Sequence, residues 1–257
     1  MMTVLSMFGW LILFGGCFLF ASVFFGIHKE SKEHLKVLKN RGFDLKGPLE
    51  LDQPTFFRAI PDCKPESLVE APFSRIPALY FHTSIDSYHG RSKKNVFNRS
   101  QCVPFEMLIA DQSIQAPTKK DNVDWMAAKI HAYQGLASGM SEREKRALAD
   151  LGVDGSNSRA NPMKAVSVEE ELLPLCEEIW VFGKVVRYTE DGEASQSTVV
   201  DNSTFLLKAP SDTFESIIAM SQEDVWRQMR YKFYINLSAA VFCAVAPVFF
   251  LMVKLIH

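Results

Sequence analysis

The feature that most constrains this chain is an uncharged, apolar run near its C-terminal end. Residues 233–253 contain no Asp, Glu, Lys or Arg, and a helix of that length spans about 30 Å, the thickness of a bilayer's hydrocarbon core. Ser221 and Asp224 precede the run at the spacing of a helix N-cap and the residue that pairs with it. The sequence therefore predicts one helix over residues 221–255 that begins in water and continues as a transmembrane span.

A second uncharged run occupies the other end of the chain. Residues 1–27 carry no charged side chain. This run is longer than the apolar region of a signal peptide, no basic residue precedes it, and residues 21–23 match a small-x-small cleavage site poorly. We therefore expect an uncleaved transmembrane helix at residues 1–27, followed by a basic juxtamembrane stalk at residues 28–46.

Residues 47–220 lie between the two predicted spans and are numerous enough to bury a core of their own. The chain has 28 Lys+Arg against 30 Asp+Glu, which leaves no basic excess for neutralising nucleic-acid phosphates. Its five cysteines are widely spaced, which favours reduced thiols over a disulfide framework or a zinc site. We expect no cofactor and no nucleic acid, and the expected partners are the lipid bilayer and a protein.

The hydrophobic pattern of residues 47–220 predicts a domain rich in β-strands. Alternation of apolar and polar residues indicates the strands, and the first two are expected to form a hairpin around a basic turn at residues 90–94. The predicted strands cover residues 78–86, 102–110, 179–188, 198–200 and 204–208. Prolines predict short strands and turns in residues 43–63, and small polar residues predict a loop at residues 153–162.

A helical insertion is expected in the middle of this domain. Met126, Ile130 and Tyr133 follow helical spacing, and Ser141 with Glu144 forms a capping box for a second, short helix. The predicted fold class is thus α+β, namely a β-rich soluble domain with a helical insertion, flanked by N- and C-terminal transmembrane helices.

Basic and aromatic residues stand where the predicted spans would leave the membrane. These interface residues are Lys29, Lys32, Lys36, Trp226, Arg227, Arg230, Tyr231 and Lys232. Because Lys and Arg are more frequent on the domain side of both spans, the positive-inside rule places the domain in the cytoplasm, at a bacterial inner membrane. Asn236 is a polar residue inside the second span that can hydrogen-bond a neighbouring helix, so a homo-oligomer through the spans stays open.

The densest group of chemically versatile side chains is His82, Asp86 and His89. Alternation along the predicted strand places His82 and Asp86 on one face, where a metal or acid–base role is conceivable. Two such groups without a third do not make a site, and a solvated strand face is the simpler interpretation. We therefore assign no catalytic, cofactor-binding or metal-binding residue. An acidic patch near Pro174 is interpreted as an exposed loop, with a docking surface for a basic partner as the alternative; it consists of Glu169, Glu170, Glu171, Glu177 and Glu178.

Three short segments resemble the GIDE domain, also called the beside-a-membrane domain. They are residues 66–80, ESLVEAPFSRIPALY; residues 105–111, FEMLIAD; and residues 178–185, EIWVFGKV. The capped helix before the closing span is similar as well. The chain departs from the family pattern at Arg75, which stands where the family has a turn Gly, and at Ala78, which stands where Cys is usual.

The resemblance implies a β-rich domain held beside a membrane by two helices. In the family's ubiquitin ligase of the mitochondrial outer membrane, catalysis resides in a cysteine-rich RING after the second span, and the domain faces the intermembrane space. The residues of this chain after the predicted span contain no such module, so we do not expect ubiquitin transfer. The ligase's orientation is opposite to the one that the lysine distribution predicts here.

These observations favour a membrane-anchored, non-catalytic protein that recruits or senses a partner at the membrane, in a prokaryotic stress or defence system. One alternative is a subunit of an oligomeric pore or signalling assembly. Others are a ubiquitin-ligase-like accessory protein, and an enzyme that uses His82, Asp86 and His89.

Overall fold

A computed structural model describes residues 4–40, 51–89, 91–109, 112–117, 123–153, 165–188 and 204–256. The chain forms two compact units, one of Met1–Gly42 with Trp226–His257 and one of Phe43–Val225. The helices of the described residues are α1 (Val4–Asn40), α2 (Glu142–Asp150) and α3 (Gln222–Ile256). The strands are β1 (Pro54–Asp62), β2 (Val69–Glu70), β3 (Pro77–Ala78), β4 (Tyr80–His89), β5 (Ser92–Cys102), β6 (Glu106–Ile109), β7 (Gln112–Gln115), β8 (Val123–Met126), β9 (Ala128–Leu136), β10 (Ala165–Leu173), β11 (Ile179–Tyr188), β12 (Thr204–Lys208) and β13 (Ser216–Ala219).

Helix α3 begins where its capping residues predict. The Ser221 hydroxyl accepts a hydrogen bond from the Asp224 N–H at 3.2 Å and donates to the Asp224 carboxylate at 2.6 Å, which satisfies a first-turn donor. The helix then continues unbroken to Ile256, with Pro247 inside it. The prediction of one continuous helix over residues 221–255 thus agrees with the observed helix Gln222–Ile256.

The segment Gln222–Val248 of α3 is long and apolar enough to cross a membrane. Large apolar side chains project outwards from it, and Phe242 is 73% exposed. Helix α1 also exposes large apolar side chains, among them Phe18 and Leu19. No second helix of sufficient length and hydropathy is found among the residues whose side chains are described, a set that begins at residue 14. His28 of α1 contacts Phe233 of α3, with ring centroids 4.3 Å apart.

The second unit is β-rich and contains two main sheets. The larger has seven strands in the order β1-β6-β7-β12-β11-β13-β8, and β1 also pairs with β11, so that five of these strands form a closed ring of pairings. The smaller is antiparallel, in the order β5-β4-β10-β9, and β2 with β3 forms a short ribbon. The larger sheet encloses a core in which Met107, Ile114 and Val181 are fully buried. The described structure is therefore α+β, as predicted.

Several predicted elements match their observed bounds. Strands β11 and β12 occupy the predicted residues, and Ser141 with Glu144 makes the predicted capping box at the start of α2. On β4, Phe81, Thr83 and Ile85 share a buried face, as their alternation indicates. The predicted strand at residues 198–200, the loop at 154–162 and the stalk beyond residue 40 lie outside the described residues.

The predicted hairpin between residues 78–86 and 102–110 is wrong. Strand β4 pairs instead with β5, Tyr80 lying opposite Cys102, whereas β6 joins the larger sheet beside β1 and β7. β5 is an edge strand with most side chains exposed on both faces. A strand that buries neither face shows no alternation, which is why its sequence resembles a turn.

The predicted helix around Met126, Ile130 and Tyr133 is also wrong, because these residues lie in β8 and β9. The pairing of β9 with β10 passes from Glu170 opposite His131 to Glu171 opposite Lys129, which leaves Ile130 as the extra residue of a bulge. That bulge interrupts the two-residue period and produces an apparent helical spacing. Of residues 43–63, the structure describes residues 51–63, where one nine-residue strand, β1, replaces the predicted short strands and has its prolines near its ends.

Candidate functional site

The most structured polar region of the domain is a turn at residues 71–76, which we call the clamped turn. Two backbone hydrogen bonds close it, from Ala71 N–H to Ile76 C=O and from Arg75 N–H to Ala71 C=O, each 3.0 Å long. It connects β2 to β3. Three side chains from other parts of the domain, described next, hold it in place.

Glu170 of β10 is fully buried and lies under the clamped turn. Its carboxylate accepts hydrogen bonds from the Phe73 N–H at 2.8 Å, the Ser74 N–H at 2.7 Å and the Thr83 hydroxyl at 2.9 Å. The prediction of an exposed patch is therefore wrong for Glu170, while Glu169 is exposed. Three successive glutamates in a strand alternate between faces, so the middle one points inwards. A buried carboxylate is tolerated here because three donors satisfy it.

Arg75 occupies a backbone conformation that favours glycine, with φ 63°. Its guanidinium makes ion pairs with Glu70 at 3.3 Å and with Asp150 of α2 at 2.8 Å. The GIDE resemblance predicts a turn glycine at this position, and the left-handed backbone is what such a glycine would provide. Here the arginine side chain instead connects the clamped turn to the end of α2.

Helix α2 packs over the inner face of the smaller sheet. Its Ala147 and Leu148 are buried in a cluster with Ile85 and Val168. From its first turn, Arg143 donates a hydrogen bond to the Ser74 carbonyl at 2.9 Å. Helix α2 therefore holds the clamped turn from outside, while Glu170 holds it from beneath.

A cleft of about 500 Å³ opens between α2, the clamped turn and β9. Its walls are Phe73, Ser74, Ile76, Ile130, His131, Ser141, Arg143 and Glu144. Three of these residues are apolar and five are polar, and the bulge in β9 presents Ile130, which is 45% exposed. This is the composition of a pocket that takes one apolar group and surrounds it with hydrogen-bonding partners.

The polar side of the cleft is organised by Glu144. One of its carboxylate oxygens accepts hydrogen bonds from the Ser141 N–H at 2.6 Å and the Ser141 hydroxyl at 2.7 Å, and the other lies 3.4 Å from His131 Nε2. The hydrogen bond from the Ser141 side chain is the main reason why the pKa of Glu144 is lowered. The His131 ring packs on Phe73, with centroids 4.7 Å apart.

The predicted cluster of His82, Asp86 and His89 lies elsewhere, on β4. Asp86 is nearly buried and binds Lys93 Nζ at 2.8 Å and Asn95 Nδ2 at 3.0 Å. Burial raises the pKa of Asp86, but these two hydrogen bonds outweigh it and the pKa is lowered overall. The side chain of His89 lies outside the described part, and no group of three His, Cys, Asp or Glu suited to a metal occurs among the described residues.

The predicted interface residues lie on α1 and α3. Arg230 lies 5.4 Å from the centre of the Trp226 ring, in a cation–π contact, and Tyr231 is exposed. Lys36 pairs with Glu33 at 2.8 Å. Asn236 is half-buried. Their role at a membrane stays a prediction.

The cleft was not predicted from the sequence. Its only signal there was the capping box of Ser141 and Glu144. No protein family, no curated protein and no solved structure matches this chain.

Proposed function

We propose that this protein is a membrane-anchored, non-catalytic interaction protein whose domain recruits or senses a protein partner at the membrane. The observation that carries this is the continuity of α3. The helix begins at Gln222, three residues after β13 ends at Ala219, and it includes the segment that is apolar enough to span a bilayer. A domain joined so closely to such a helix acts at the membrane surface.

Two spans and a cytoplasmic domain belong to the same proposal. The uncharged residues 1–27 and the exposed apolar side chains of α1, such as Phe18 and Leu19, support α1 as the second span. The excess of Lys and Arg on the domain side supports the cytoplasmic orientation at a bacterial inner membrane. The GIDE resemblance supports a domain of this kind beside the membrane.

Partner binding is supported by the cleft. Its mixture of apolar and polar lining residues is that of the anchor pockets of protein interfaces, where one buried side chain contributes most of the affinity. An enzyme built on His82, Asp86 and His89 has less support, because the Asp86 carboxylate is already bound to Lys93 and Asn95. A prokaryotic stress or defence role follows only from the family resemblance.

Anchoring is tested by alkaline carbonate extraction of membranes from cells that express the full chain. We expect the protein to stay in the membrane pellet, while a peripheral membrane protein in the same sample is released. Release of the full chain into the supernatant would overturn the proposal.

Partner binding is tested by a photo-crosslinking amino acid placed at Ile130, which lines the cleft. The matched control is Ala132, which is exposed and lies two residues further along the same strand. We expect adducts with a second protein from Ile130 and none from Ala132. Adducts of equal yield from both positions, or from neither, would count against a partner in the cleft.

A further inference from the structure

Strand β9 is an edge strand beside the cleft. Among the described strands it pairs only with β10, over Ala128–Leu136. Its outer edge therefore presents backbone N–H and C=O groups that another extended segment can pair with. Its inner face leads directly to the cleft, which Ile130 and His131 line on this side.

The cleft runs between this edge and helix α2. A segment added to an edge strand gains affinity from main-chain hydrogen bonds and specificity from pockets that take its alternate side chains. Here the bulge brings Ile130 to the lining of the cleft together with Phe73 and Ile76, so that an aliphatic or aromatic side chain would contact three apolar residues. Bulges commonly redirect a side chain next to a binding site.

The charges along α2 indicate which kind of residue the bound segment should carry next to its apolar side chain. Glu142 is paired with Lys145 at 2.8 Å, Asp150 with Arg75, and Glu144 with Ser141. Among the described residues, Arg143 and Arg146 form no salt bridge with a carboxylate, although the charge of Arg146 acts on nearby Glu142. Both arginines line a smaller pocket of about 280 Å³ that shares Phe73 and Arg143 with the cleft. Arg75, Glu142 and Asp150 also line this pocket, so its three arginines outnumber its two carboxylates.

The other edge of the same sheet lacks these features. Strand β5 is the edge strand on the other side of the same sheet, and it carries a lysine and a bulge as β9 does. What distinguishes β9 from β5 is the cleft beside it. Neither the cleft nor the smaller pocket includes a residue of β5.

We propose that β9 binds an extended segment of a partner protein as an added strand. One aliphatic or aromatic side chain of the segment enters the cleft, and an acidic residue two positions away on the same face meets Arg143 and Arg146. This inference rests on the proposed partner-binding function and specifies its chemistry.

The test uses the full chain in detergent micelles and synthetic peptides. The parent peptide is acetylated and amidated Ser-Thr-Phe-Thr-Asp-Thr-Val-Ser, which carries an anchor and an acid on one face. A library varies the anchor through all amino acids and the acid through Asp, Ser and Lys. Binding is followed by fluorescence anisotropy of labelled peptides. We expect members with an apolar anchor and Asp to bind best, and N-methylation of the residues flanking the anchor to abolish binding, because it removes main-chain donors.

Two protein variants complete the test. Arg146→Glu should lower the affinity for the Asp peptides about tenfold and raise the affinity for the Lys peptides. Arg99→Glu, an arginine on the β5 edge, should change neither. Hydrogen exchange with the best peptide bound should slow in residues 128–136 and stay unchanged in residues 92–102.

Three results would overturn the inference. The first is that no peptide of the library binds with a dissociation constant below about 1 mM. The second is that the N-methylated peptides still bind. The third is that Arg99→Glu changes peptide affinity as Arg146→Glu does. Vesicles containing phosphatidylserine are tested in parallel. If no peptide of the library binds, and the protein binds vesicles but the Arg146→Glu variant does not, then the ligand is an anionic membrane surface instead. If a partner is crosslinked from Ile130 but no peptide of the library binds, strand addition is rejected and the proposed partner-binding function is retained.

Discussion

At the scale of single residues, the clamped turn depends most on Glu170. Glu170→Ala would leave the Phe73 and Ser74 N–H groups and the Thr83 hydroxyl without their acceptor in a buried site. We expect it to lower the free energy of unfolding by about 3 kcal/mol, since each unsatisfied buried group costs about 1–3 kcal/mol. Thermal and urea unfolding of the detergent-solubilised protein measure the loss.

The control for this variant is Thr83→Val, which removes one of the three donors and keeps the shape. It should cost about 1 kcal/mol. Glu170→Gln should fall between the two, because the amide oxygen still accepts a hydrogen bond. Equal losses in Glu170→Ala and Thr83→Val would contradict a carboxylate that holds all three groups.

Two substitutions of Arg75 distinguish the effect of backbone strain on stability from the effect of ion pairing. A non-glycine residue in the left-handed region costs about 1–2 kcal/mol, whereas half-exposed pairs such as those with Glu70 and Asp150 contribute about 0–1 kcal/mol. Arg75→Ala loses the pairs and keeps the strain, so it should destabilise the domain. Arg75→Gly loses the pairs and relieves the strain, so it should be more stable than Arg75→Ala by about 1 kcal/mol. Thermal unfolding at low and high salt checks the order, which a strain-free turn would not produce.

The residue scale also shows where sequence reasoning stops. The inward position of Glu170 follows from strand alternation once β10 is known, but the acidic run conceals the strand because glutamates are depleted in strands. The donors that make its burial tolerable come from residues 73, 74 and 83, nearly a hundred positions away. No local pattern encodes that pairing.

At the scale of elements, the cap of α2 gives a prediction with a pH dependence. Ser141→Ala removes the acceptor of the Glu144 N–H and the donor to the Glu144 carboxylate. We expect a loss of about 1 kcal/mol at pH 7. Ser141→Thr keeps a hydroxyl and should lower the free energy of unfolding much less. Ser138→Ala, at an exposed serine before the helix, should leave the free energy of unfolding unchanged.

The sign of the pH dependence follows from the lowered pKa of Glu144. A carboxyl whose pKa is lowered by folding stabilises the protein above its ordinary pKa of 4.5, and this contribution is lost as the pH falls through the lowered value. The stability difference between the native protein and Ser141→Ala should therefore be greatest near neutral pH and shrink in acid. Unfolding at pH 7, 5 and 3.5 measures it, and a difference that grows in acid would contradict this role of Ser141.

Elements with one buried face were the predictable ones. Strand β4 buries Phe81, Thr83 and Ile85 on one face and was located from that alternation. Strand β11 was located as well, although Val181 and Phe182 are both buried, because it is rich in β-branched and aromatic residues. Strand β5 buries neither face, and β9 contains a bulge, so both lose the two-residue period and were assigned to a turn and a helix. The cleft is built on β9, so it could not be predicted while β9 was taken for a helix.

At the scale of the whole molecule, the apolar segment of α3 and the β-rich domain were predictable because both depend on composition and local pattern. The order of strands in the two sheets was not, since β1 pairs with β11 across more than a hundred residues. Such pairings are selected by the packing of the complete core. Which side of the membrane the domain faces follows neither from local pattern nor from core packing, so it is determined by labelling.

The native thiols are poor reporters for that measurement. Burial raises the pKa of Cys102 to about 11 and also raises the pKa of Cys176, so little reactive thiolate exists at pH 7.5. We therefore expect slow labelling of the native protein by a membrane-impermeant maleimide on either side of the membrane. Lys94→Cys places a thiol at an exposed position of β5 and should react quickly wherever the reagent has access.

Labelling of Lys94→Cys in two preparations then decides the orientation. If the positive-inside rule holds, intact cells stay unlabelled at this position and inverted inner-membrane vesicles are labelled within minutes. A second variant with the introduced cysteine at Thr3, before α1, should show the opposite pattern, because the proposed topology has one span, α1, between the two positions. Rapid labelling of Lys94→Cys in intact cells would place the cleft and its partner outside the cytoplasm, as the GIDE resemblance implies. Labelling of both variants from the same side would instead contradict α1 as a span and leave α3 as the anchor.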